Sequence, residues 1–560
     1  MTRNKKNSDA SFLMQGSILA IASIVSRIVG LIYRVPLTAT IGKTGNDYYG
    51  TAYEIYNIIL LISSYSIPLA VSKLVSARMA NGRVKDAKKV LVGALIFALV
   101  SGGAAALIVY FGAEFFTGSL LKTPLSAIAL RVLAPTLLIV AVLGVLRGFF
   151  QGLGTMIPSA ISQIGEQIVN AIVSVVAASI LFTYGKKVGG VLGDVDGYAA
   201  AYGAAGGTLG TSMGAVFALI FMIFIFFAFK KVFTKMQKKD KNKTSESYST
   251  IFSILIMTII PVLLSTTIYN ISSIIDQGIF KNIAVLQGYK ANTISEWWGV
   301  FTGQYKVLVN VPIAIASSMA ASTVPSLTAA FNAKDDARVR KQINMANRFI
   351  MVIAFPCAVG MIVLASPLMQ LLFNDPDKTS ALMLIVGGIS IVFYSLSTLS
   401  NGILQGLDKM SIPVKNAIVA LIAHIVLLFI LMEVFKLNIF AVIIANAFYA
   451  LLMCILNQRS VLQVSKARYN VRLVFLIPLI SSLIMGVVVY IVYSITNAIF
   501  AIFTLARIAN AFATTISIIA GIIVYFIAMF TFGGIDEETL LRFPGGTKLC
   551  NIAYKLHLLR

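Results

Sequence analysis

The chain has few acidic residues, few cysteines and few histidines. Only 21 Asp and Glu stand against 45 Lys and Arg in 560 residues, and charged residues make up 12% of the total. The three cysteines, Cys357, Cys454 and Cys550, are far apart, so their spacing predicts neither a metal site nor a disulfide framework. The sequence also lacks a Gly-x-x-x-x-Gly-Lys-Ser/Thr loop and a paired-histidine metal motif. We therefore expect no metal, no cofactor and no ATP hydrolysis.

The chain has an unusually high content of apolar residues. Hydrophobic residues make up 58% of the sequence, and the mean hydropathy is +0.90. A soluble protein of this length cannot bury so many apolar residues, so the composition predicts an all-α polytopic membrane protein. We identify fourteen hydrophobic spans, near residues 12–35, 51–73, 89–112, 128–147, 157–182, 199–229, 251–280, 300–325, 348–372, 380–404, 413–435, 437–458, 473–496 and 508–532.

The distribution of basic residues predicts the topology. With the N-terminus inside, both tails and the even-numbered connections hold 32 Lys and Arg, the odd-numbered connections hold 9, and the other four of the 45 fall within spans. Because cytoplasmic loops are enriched in Lys and Arg, both termini are predicted to be cytoplasmic. The net charge of +24 therefore reports mainly topology and, secondarily, attraction to anionic membrane lipids. It does not indicate a nucleic-acid partner.

The two halves of the chain resemble each other. The segment 148–156 follows the fourth span and 402–410 follows the tenth, and five of their nine positions are identical. Six spans are an even number, so both halves enter the membrane in the same orientation. We therefore expect two six-helix lobes related by a pseudo-twofold axis along the membrane normal, working by alternating access. The predicted parts are the N-lobe (1–229), a cytoplasmic linker (230–249), the C-lobe (250–465), and two C-terminal helices with a cytoplasmic tail (466–560).

Two arginines lie within the first span. Arg27 and Arg34 are separated by Gly30 and followed by Pro36. A charged side chain at bilayer depth is costly, so it usually faces a water-filled path. We therefore predict a helix that is bent at Gly30, ends at Pro36 and lines a path for an anionic substrate. The alternative is that the long side chains extend to the membrane interface, which applies more strongly to Arg34 than to the deeper Arg27.

Among the other charged residues in or beside predicted spans, which must be paired or hydrated, we select five as candidates. Glu166 and Asp276 have polar neighbours along their helices, and Glu54 is a candidate ion-pair partner of Arg27 or Arg34. Lys306 either extends to the interface or faces the path. The fifth residue, Asp47, borders the second span.

Four short motifs resemble a known family. They are Ser-Arg-x-x-Gly (26–30), Gly-Asn-Asp-Tyr-Tyr-Gly (45–50), Arg-Gly-Phe-Phe-Gln-Gly (147–152) and Val-Pro-Ser-Leu (324–327). With the layout of six, six and two spans, they resemble the polysaccharide-exporter branch of the multidrug/oligosaccharidyl-lipid/polysaccharide (MOP) flippase superfamily. Within it the resemblance is strongest to the stage V sporulation protein B group and the YtgP/MurJ-type lipid II flippases.

The resemblance implies a function in a bacterial cell membrane. Such a protein would flip a polyprenyl-diphosphate-linked saccharide, lipid II or a related cell-wall or polysaccharide precursor, from the inner to the outer leaflet. It would be a monomeric transporter and not an enzyme. The resemblance implies that Arg27 and Arg34 bind the diphosphate, and Lys306 is added as a candidate because of its charge within a span. Asp47 resembles an acidic residue of the family, and together with Glu54, Glu166 and Asp276, chosen as charged residues within spans, it is a candidate for charge balance or for coupling to a proton or monovalent cation.

The chain departs from the MurJ pattern because the second span and the seventh span have no arginine. This difference favours the sporulation and YtgP-type groups. Two other functions stay open. A cation-coupled drug exporter of the same superfamily would use an acidic site and would not need Arg27. A membrane glycosyl- or acyltransferase would need a catalytic histidine or acidic pair near the interface, and none is apparent.

Overall fold

The computed structural model describes most of the chain. The described backbone covers residues 2–240, 242, 246–466, 470–534, 547, 550, 551 and 554. Within it, the side chains of residues 2–21, 23, 24, 27, 31, 261, 262, 264–266, 268, 269, 321, 322, 325 and 326 are not described. The regular structure of the described backbone is helical throughout, as the composition predicts.

Eighteen α-helices make up the described chain. They are α1 (Thr2–Ser63), α2 (Ile67–Ala80), α3 (Val84–Glu114), α4 (Ser126–Gly152), α5 (Ile157–Leu192), α6 (Val195–Lys239), α7 (Tyr248–Asn270), α8 (Ser272–Leu286), α9 (Ala291–Val300), α10 (Lys306–Asn332), α11 (Asp336–Val363), α12 (Ala365–Phe373), α13 (Lys378–Gly387), α14 (Ser390–Gly406), α15 (Ser411–Glu433), α16 (Ile439–Ser465), α17 (Ile477–Phe503) and α18 (Ala506–Thr531). Short π-helical turns occupy Phe115–Leu120, Phe301–Tyr305 and Arg472–Leu476.

Many of these helices are long and apolar enough to cross a membrane. Among the described residues there are 10 such helices, or up to 11 when α13 and α14, bent by 43°, count as one span. The predicted span 51–73 and the last part of the predicted span 12–35 fall within one candidate, Ile28–Ala80. The predicted spans 251–280 and 300–325 include side chains outside the described set. The count of fourteen therefore stays a prediction, whereas the multi-span helical fold is confirmed.

The first helix breaks at Gly42 and not at the positions expected from the sequence. The helical backbone runs through Gly30 and Pro36, and the carbonyl of Pro36 accepts a hydrogen bond of 2.8 Å from Thr40 Oγ1. The prediction that Pro36 ends the helix is therefore wrong. Gly42 has φ 70° and ψ −176°, a conformation that is almost exclusive to glycine. The break separates the part of α1 that carries Arg34 from the part that carries Asp47.

The residues divide into two compact units, Met1–Gly303 and Gln304–Arg560. In the first unit, α5 and α6 pack closely along a row of glycines. A Cβ atom at Gly210 or Gly214 would lie 2.6 Å from a backbone atom of α5, so the two helices approach backbone to backbone. Small residues spaced four apart allow such packing between membrane helices.

The second unit has an apolar core between α11, α17 and α18. Val352, Met485, Val489 and Met529 are buried there, and Tyr525 donates a hydrogen bond of 2.8 Å to the carbonyl of Val352. A buried phenol in an apolar layer needs such a partner. The side-chain hydroxyl therefore fixes α18 against α11 in this unit.

The segment predicted as a linker, 230–249, is largely helical. Helix α6 continues to Lys239 and α7 begins at Tyr248, so fewer than ten residues connect them. The chain stays in the first compact unit until Gly303, beyond this segment. The proposed boundaries of the N-lobe (1–229), the C-lobe (250–465) and the C-terminal part (466–560) stay predictions.

Candidate functional site

Arg34 packs on an aromatic cluster beside the break in α1. Its guanidinium carbon lies 4.3 Å from the centroid of the Tyr49 ring. The Tyr49 ring stacks in turn on Tyr53, with centroids 5.8 Å apart. The break at Gly42 turns the chain so that residues fifteen positions apart meet. A cation over an aromatic face gains electrostatic energy without using its N–H donors, so this stacking holds the guanidinium while leaving its donors for another group.

One donor nitrogen of Arg34 is buried and unused. Nη1 has no hydrogen-bond partner among the described residues, although a buried, charged donor without an acceptor costs several kcal/mol. Guanidinium groups bind phosphate and carboxylate groups through two parallel hydrogen bonds. The arrangement is therefore suited to an anionic ligand that supplies the missing acceptor.

Glu166 forms an ion pair with Arg147. The distance between Arg147 Nη2 and Glu166 Oε2 is 2.7 Å, and Arg147 Nε donates to Ser162 Oγ at 2.8 Å. The two charged residues belong to α4 and α5, and both are largely buried. The pair neutralises the carboxylate that was selected from the sequence. Its partner, Arg147, is the last residue of a predicted span and is not among the candidate site residues taken from the sequence.

A second buried ion pair joins Asp47 to Lys281. Lys281 Nζ lies 2.5 Å from Asp47 Oδ1, and both side chains are 1% exposed. The other carboxylate oxygen, Oδ2, accepts a hydrogen bond of 2.6 Å from Ser295 Oγ, and Thr51 Oγ1 donates to Oδ1 at 3.1 Å. Lys281 also donates to Thr123 Oγ1 at 2.5 Å. These contacts satisfy both charges, as a stable buried pair requires.

The residues of this network come from three of the odd-numbered loops between predicted spans. Asp47 lies between the first two predicted spans, Thr123 between the third and fourth, and Lys281 and Ser295 after the seventh. The positive-inside rule places all three connections outside the cell. The network therefore ties together the predicted outer end of the first unit.

Glycines of α9 and the following turn pack directly on the break in α1. A Cβ at Gly303 would lie 2.5 Å from Asn46 Oδ1, and Thr38 Oγ1 donates to the carbonyl of Gly303 at 3.1 Å. Asn46 Nδ2 donates to the carbonyl of Gly42 at 2.7 Å. The backbone at Gly42 is thus held by one hydrogen bond from Asn46, and Thr38, just before the break, is bonded to Gly303.

The other selected residues are distributed over both units. Glu54 Oε1 accepts a hydrogen bond of 2.6 Å from Ser273 Oγ. Asp276 is 2% exposed, on the same helix as Lys281. Lys306 begins α10 in the second unit. The side chain of Arg27 lies outside the described residues.

Lys281 was missed because the seventh span was predicted to end one residue before it. The spacing of residues in α8 does indicate its buried face. The residues on that face recur at helical spacing and are all buried: Asp276, Gln277, Phe280, Lys281 and Ala284. A lysine on the buried face of a membrane helix predicts an acidic partner.

Comparison with known proteins identifies the family. Residues 12–331, more than half of the chain, match the family model described as polysaccharide biosynthesis protein. The chain belongs to this family. Residues 307–430 also match the MatE family model, in agreement with the MOP superfamily resemblance.

Curated relatives and solved structures agree with the assignment. The chain is 25% identical to the lipid II flippase MurJ of Bacillus subtilis (strain 168) over 431 residues, which cover 75% of this chain and 77% of the relative. It is 31% identical to stage V sporulation protein B of the same organism over 175 residues, 31% of this chain and 34% of that protein.

Two solved structures show the same fold. One is lipid II flippase MurJ in an inward closed conformation, with a TM-score of 0.64, 18% identity, and coverage of 92% of this chain and 98% of that one. The other is an inward-facing multidrug resistance MATE family transporter, with a TM-score of 0.62, 16% identity, and coverage of 80% and 99%. The family members are transporters and not enzymes, so the transferase alternative is rejected.

Proposed function

We propose that this protein flips a polyprenyl-diphosphate-linked saccharide, lipid II or a related precursor, from the inner to the outer leaflet by alternating access. The observation that carries the proposal is the buried, unused Nη1 of Arg34, held in place by the ring of Tyr49. A diphosphate supplies the acceptors that this donor lacks. The likeness to a lipid II flippase over three quarters of the chain supports the same substrate class.

In this mechanism Arg34 binds the diphosphate together with Arg27, which lies seven residues earlier in the same helix, and a role of Lys306 in diphosphate binding stays a prediction from the sequence. The apolar polyprenyl chain stays in the lipid, while the two arginines compensate the charge of the headgroup. Binding energy is gained because the substrate replaces a desolvated, unsatisfied donor by a charge-assisted pair.

The buried network around Asp47 and Lys281 keeps the outer end of the first unit closed. Opening this end separates the ion pair of Asp47 and Lys281, whose charges are both shielded from water. The free-energy cost of that separation must be compensated by new contacts or by hydration. Asp47 and Glu166 balance the charges of Lys281 and Arg147. We assign any coupling to a proton or monovalent cation to the buried carboxylates of Glu54 and Asp276.

The proposal is tested by a flipping assay in liposomes. Purified protein is reconstituted with fluorescent lipid II, and the fraction accessible to an external quencher is followed with time. We expect flipping by the wild type, little or none by Arg34→Ala, and wild-type rates for Arg131→Ala. Arg131 is the matched control because its ion pair with Glu114 is solvent-exposed, so its loss has little effect on the fold. An Arg34→Ala protein as active as the wild type contradicts the assignment.

A second candidate function is cation-coupled drug export. The match of residues 307–430 to the MatE family favours it. A drug exporter would transport a cationic dye against its gradient with or without Arg34, because a cation gains nothing from a guanidinium. Dye export by Arg34→Ala liposomes, together with no lipid II flipping by the wild type, would support this function.

A further inference from the structure

A basic cleft lies at one end of the first unit, away from Arg34 and the Asp47 network. It has a volume of about 550 Å³ and lies between the first turns of α3, the last turns of α6 and the start of α7. The residues that matter for its chemistry are Lys85, Lys88, Lys89, Gln237, Lys238 and Tyr248. In the predicted topology these segments are cytoplasmic.

The acidic residues next to the cleft are already engaged. Glu246 forms ion pairs of 2.7 Å with Arg78 and 3.0 Å with Arg83, and Asp86 forms one of 2.9 Å with Arg83. Asp86 also accepts a hydrogen bond of 3.0 Å from the backbone N–H of Glu246. Two carboxylates and two arginines thus form one ion-pair network next to the cleft.

The third carboxylate, Asp240, is engaged by backbone groups. It accepts hydrogen bonds of 2.9 Å from the N–H of Lys85 and 2.9 Å from the N–H of Asn242. These donors, first Lys85 and then Asn242, hold the pKa of Asp240 below its usual range. The carboxylate therefore stays charged, but its role is to fasten the α6–α7 connection to the start of α3.

The cleft itself presents donors without acceptors. In the part of the chain that the structure describes, no carboxylate lies within ion-pair distance of Lys85, Lys88 or Lys238, and the buried Nε2 of Gln237 has no hydrogen-bond partner. Lys89 donates to the carbonyl of Glu246 at 2.9 Å, which leaves its other two N–H groups for a ligand. Such a set of donors is suited to a phosphate group.

The position of the cleft indicates where that phosphate comes from. The cleft is lined by the first turns of the candidate span Val84–Leu120 and the last turns of the candidate span Val195–Lys239, so it lies at the cytoplasmic ends of both helices in the predicted topology. Basic pockets between membrane helices on the cytoplasmic side bind the headgroups of anionic lipids. Soluble phosphates reach the same position from the cytoplasm.

We propose that this cleft is a phosphate-binding site, separate from the transport path, that takes the headgroup phosphate of an anionic lipid or a free phosphate. The site anchors the α6–α7 connection because a bound phosphate contacts lysines of both α3 and α6. It does not depend on the proposed substrate, since none of its residues belongs to the Arg34 or Asp47 clusters.

The first test is lysine footprinting of the wild-type protein. Acylation of Lys85, Lys88 and Lys238 is measured by mass spectrometry in phosphatidylcholine nanodiscs, in nanodiscs containing phosphatidylglycerol, and in phosphatidylcholine nanodiscs with inorganic phosphate. Protection by phosphatidylglycerol identifies a lipid headgroup, and protection by inorganic phosphate identifies a soluble ligand. Equal reactivity in all three conditions, or equal protection of the exposed Lys231 and Lys235, overturns the proposal.

The second test measures retained phosphatidylglycerol by native mass spectrometry, in parallel with inorganic phosphate binding by calorimetry. The triple variant Lys85→Gln, Lys88→Gln, Lys238→Gln should weaken binding roughly 100-fold, since each lysine near a membrane surface contributes about a fivefold factor. The control variant Lys231→Gln, Lys235→Gln, Lys239→Gln removes the same charge from exposed positions of α6 outside the cleft and should bind as the wild type.

If the triple variant does not fold, Lys88→Glu provides the same test at one exposed position. It should lose binding while the thermal unfolding midpoint stays unchanged. Equal binding by Lys88→Glu and the wild type contradicts the site. Neither measurement depends on flipping activity. The phosphate site can therefore be contradicted while the proposed flippase function is supported, and the flippase function can be contradicted while the phosphate site is supported.

Discussion

At the scale of single residues, the aromatic support of Arg34 determines how well it can bind an anion. The Tyr49 ring lies under the guanidinium, and such an interaction contributes about 0.5–2 kcal/mol, more where water is excluded. We expect Tyr49→Leu to weaken substrate binding by roughly 2- to 30-fold. Tyr49→Phe is the matched control because it keeps the ring, and it should bind nearly as the wild type. Binding is measured with fluorescent lipid II in nanodiscs, and equal weakening by both variants would show that the hydroxyl matters and not the ring.

Replacing Arg34 by lysine separates charge from geometry. Arg34→Lys keeps the positive charge but contacts a diphosphate as a point charge, without the planar pair of donors. We therefore expect flipping by Arg34→Lys to lie between that of the wild type and that of Arg34→Ala. A lysine variant no better than the alanine variant would mean that charge alone contributes nothing at this position.

The Asp47–Lys281 pair predicts strong coupling between two residues. Removing one partner leaves an uncompensated buried charge, which costs about 3–5 kcal/mol. Lys281→Met and Asp47→Asn should each lower the thermal unfolding midpoint, whereas the double variant should regain much of the loss because both charges are gone. A double variant whose loss equals the sum of the two single losses would show that the pair contributes no coupling energy.

At the scale of elements, the break at Gly42 sets the position of Arg34 relative to Tyr49 and Asp47. Its backbone conformation costs a residue with a side chain about 1–3 kcal/mol. Nothing lies within 4 Å of a Cβ added there, so the effect of Gly42→Ala is one of backbone strain alone. We expect a lower unfolding midpoint and slower flipping.

Gly103→Ala is the control for the break. This position also has open space around a Cβ, but it lies within α3, where alanine is favoured over glycine by up to about 1 kcal/mol. Its unfolding midpoint should stay the same or rise. Equal destabilisation by the two substitutions would argue against a special role for the backbone at Gly42.

The helical fold was predictable from the sequence, because apolar spans and the charges within them are local signals. Asp47 and Glu166 were selected in this way, but their partners were not. Lys281 and Arg147 lie at the edges of predicted spans, where a long basic side chain can extend to the membrane interface and needs no ion-pair partner. Pairing depends on which helices pack together, and a single sequence does not contain that information.

The bend in the first helix was also predicted, but at the wrong residues. Gly30 and Pro36 are the usual signals for a helix break, whereas the break occurs at Gly42. At Gly42 the backbone accepts a hydrogen bond from Asn46, and the neighbouring Thr38 donates to the carbonyl of Gly303. These contacts between distant parts of the chain explain the position of the break, which the sequence alone does not indicate.

At the scale of the whole molecule, the predicted topology is open to direct measurement. With the three native cysteines replaced by serine, Gly118→Cys and Gly190→Cys should react with an impermeant maleimide added to intact cells. Lys239→Cys and Arg340→Cys should react only after the membrane is permeabilised. The reason is the excess of basic residues in the even-numbered connections. External labelling of Lys239→Cys would overturn the orientation, and with it the cytoplasmic position of the basic cleft.

The orientation and the substrate charge together predict how transport is driven. A diphosphate with about two negative charges that moves outward across an inside-negative membrane releases roughly 4–5 kcal/mol per 100 mV, at about 2.3 kcal/mol for each charge. The return of the empty protein opposes this gain, because arginines no longer neutralised by substrate move in the same field. A cation or proton bound at Glu54 or Asp276 would change the charge carried on that step.

We expect a potassium–valinomycin potential, negative on the cytoplasmic side, to accelerate outward flipping in liposomes. Glu54→Gln and Asp276→Asn should change the dependence on pH or sodium while leaving lipid II binding in place. A rate indifferent to both the potential and the ion gradients would contradict electrically driven export.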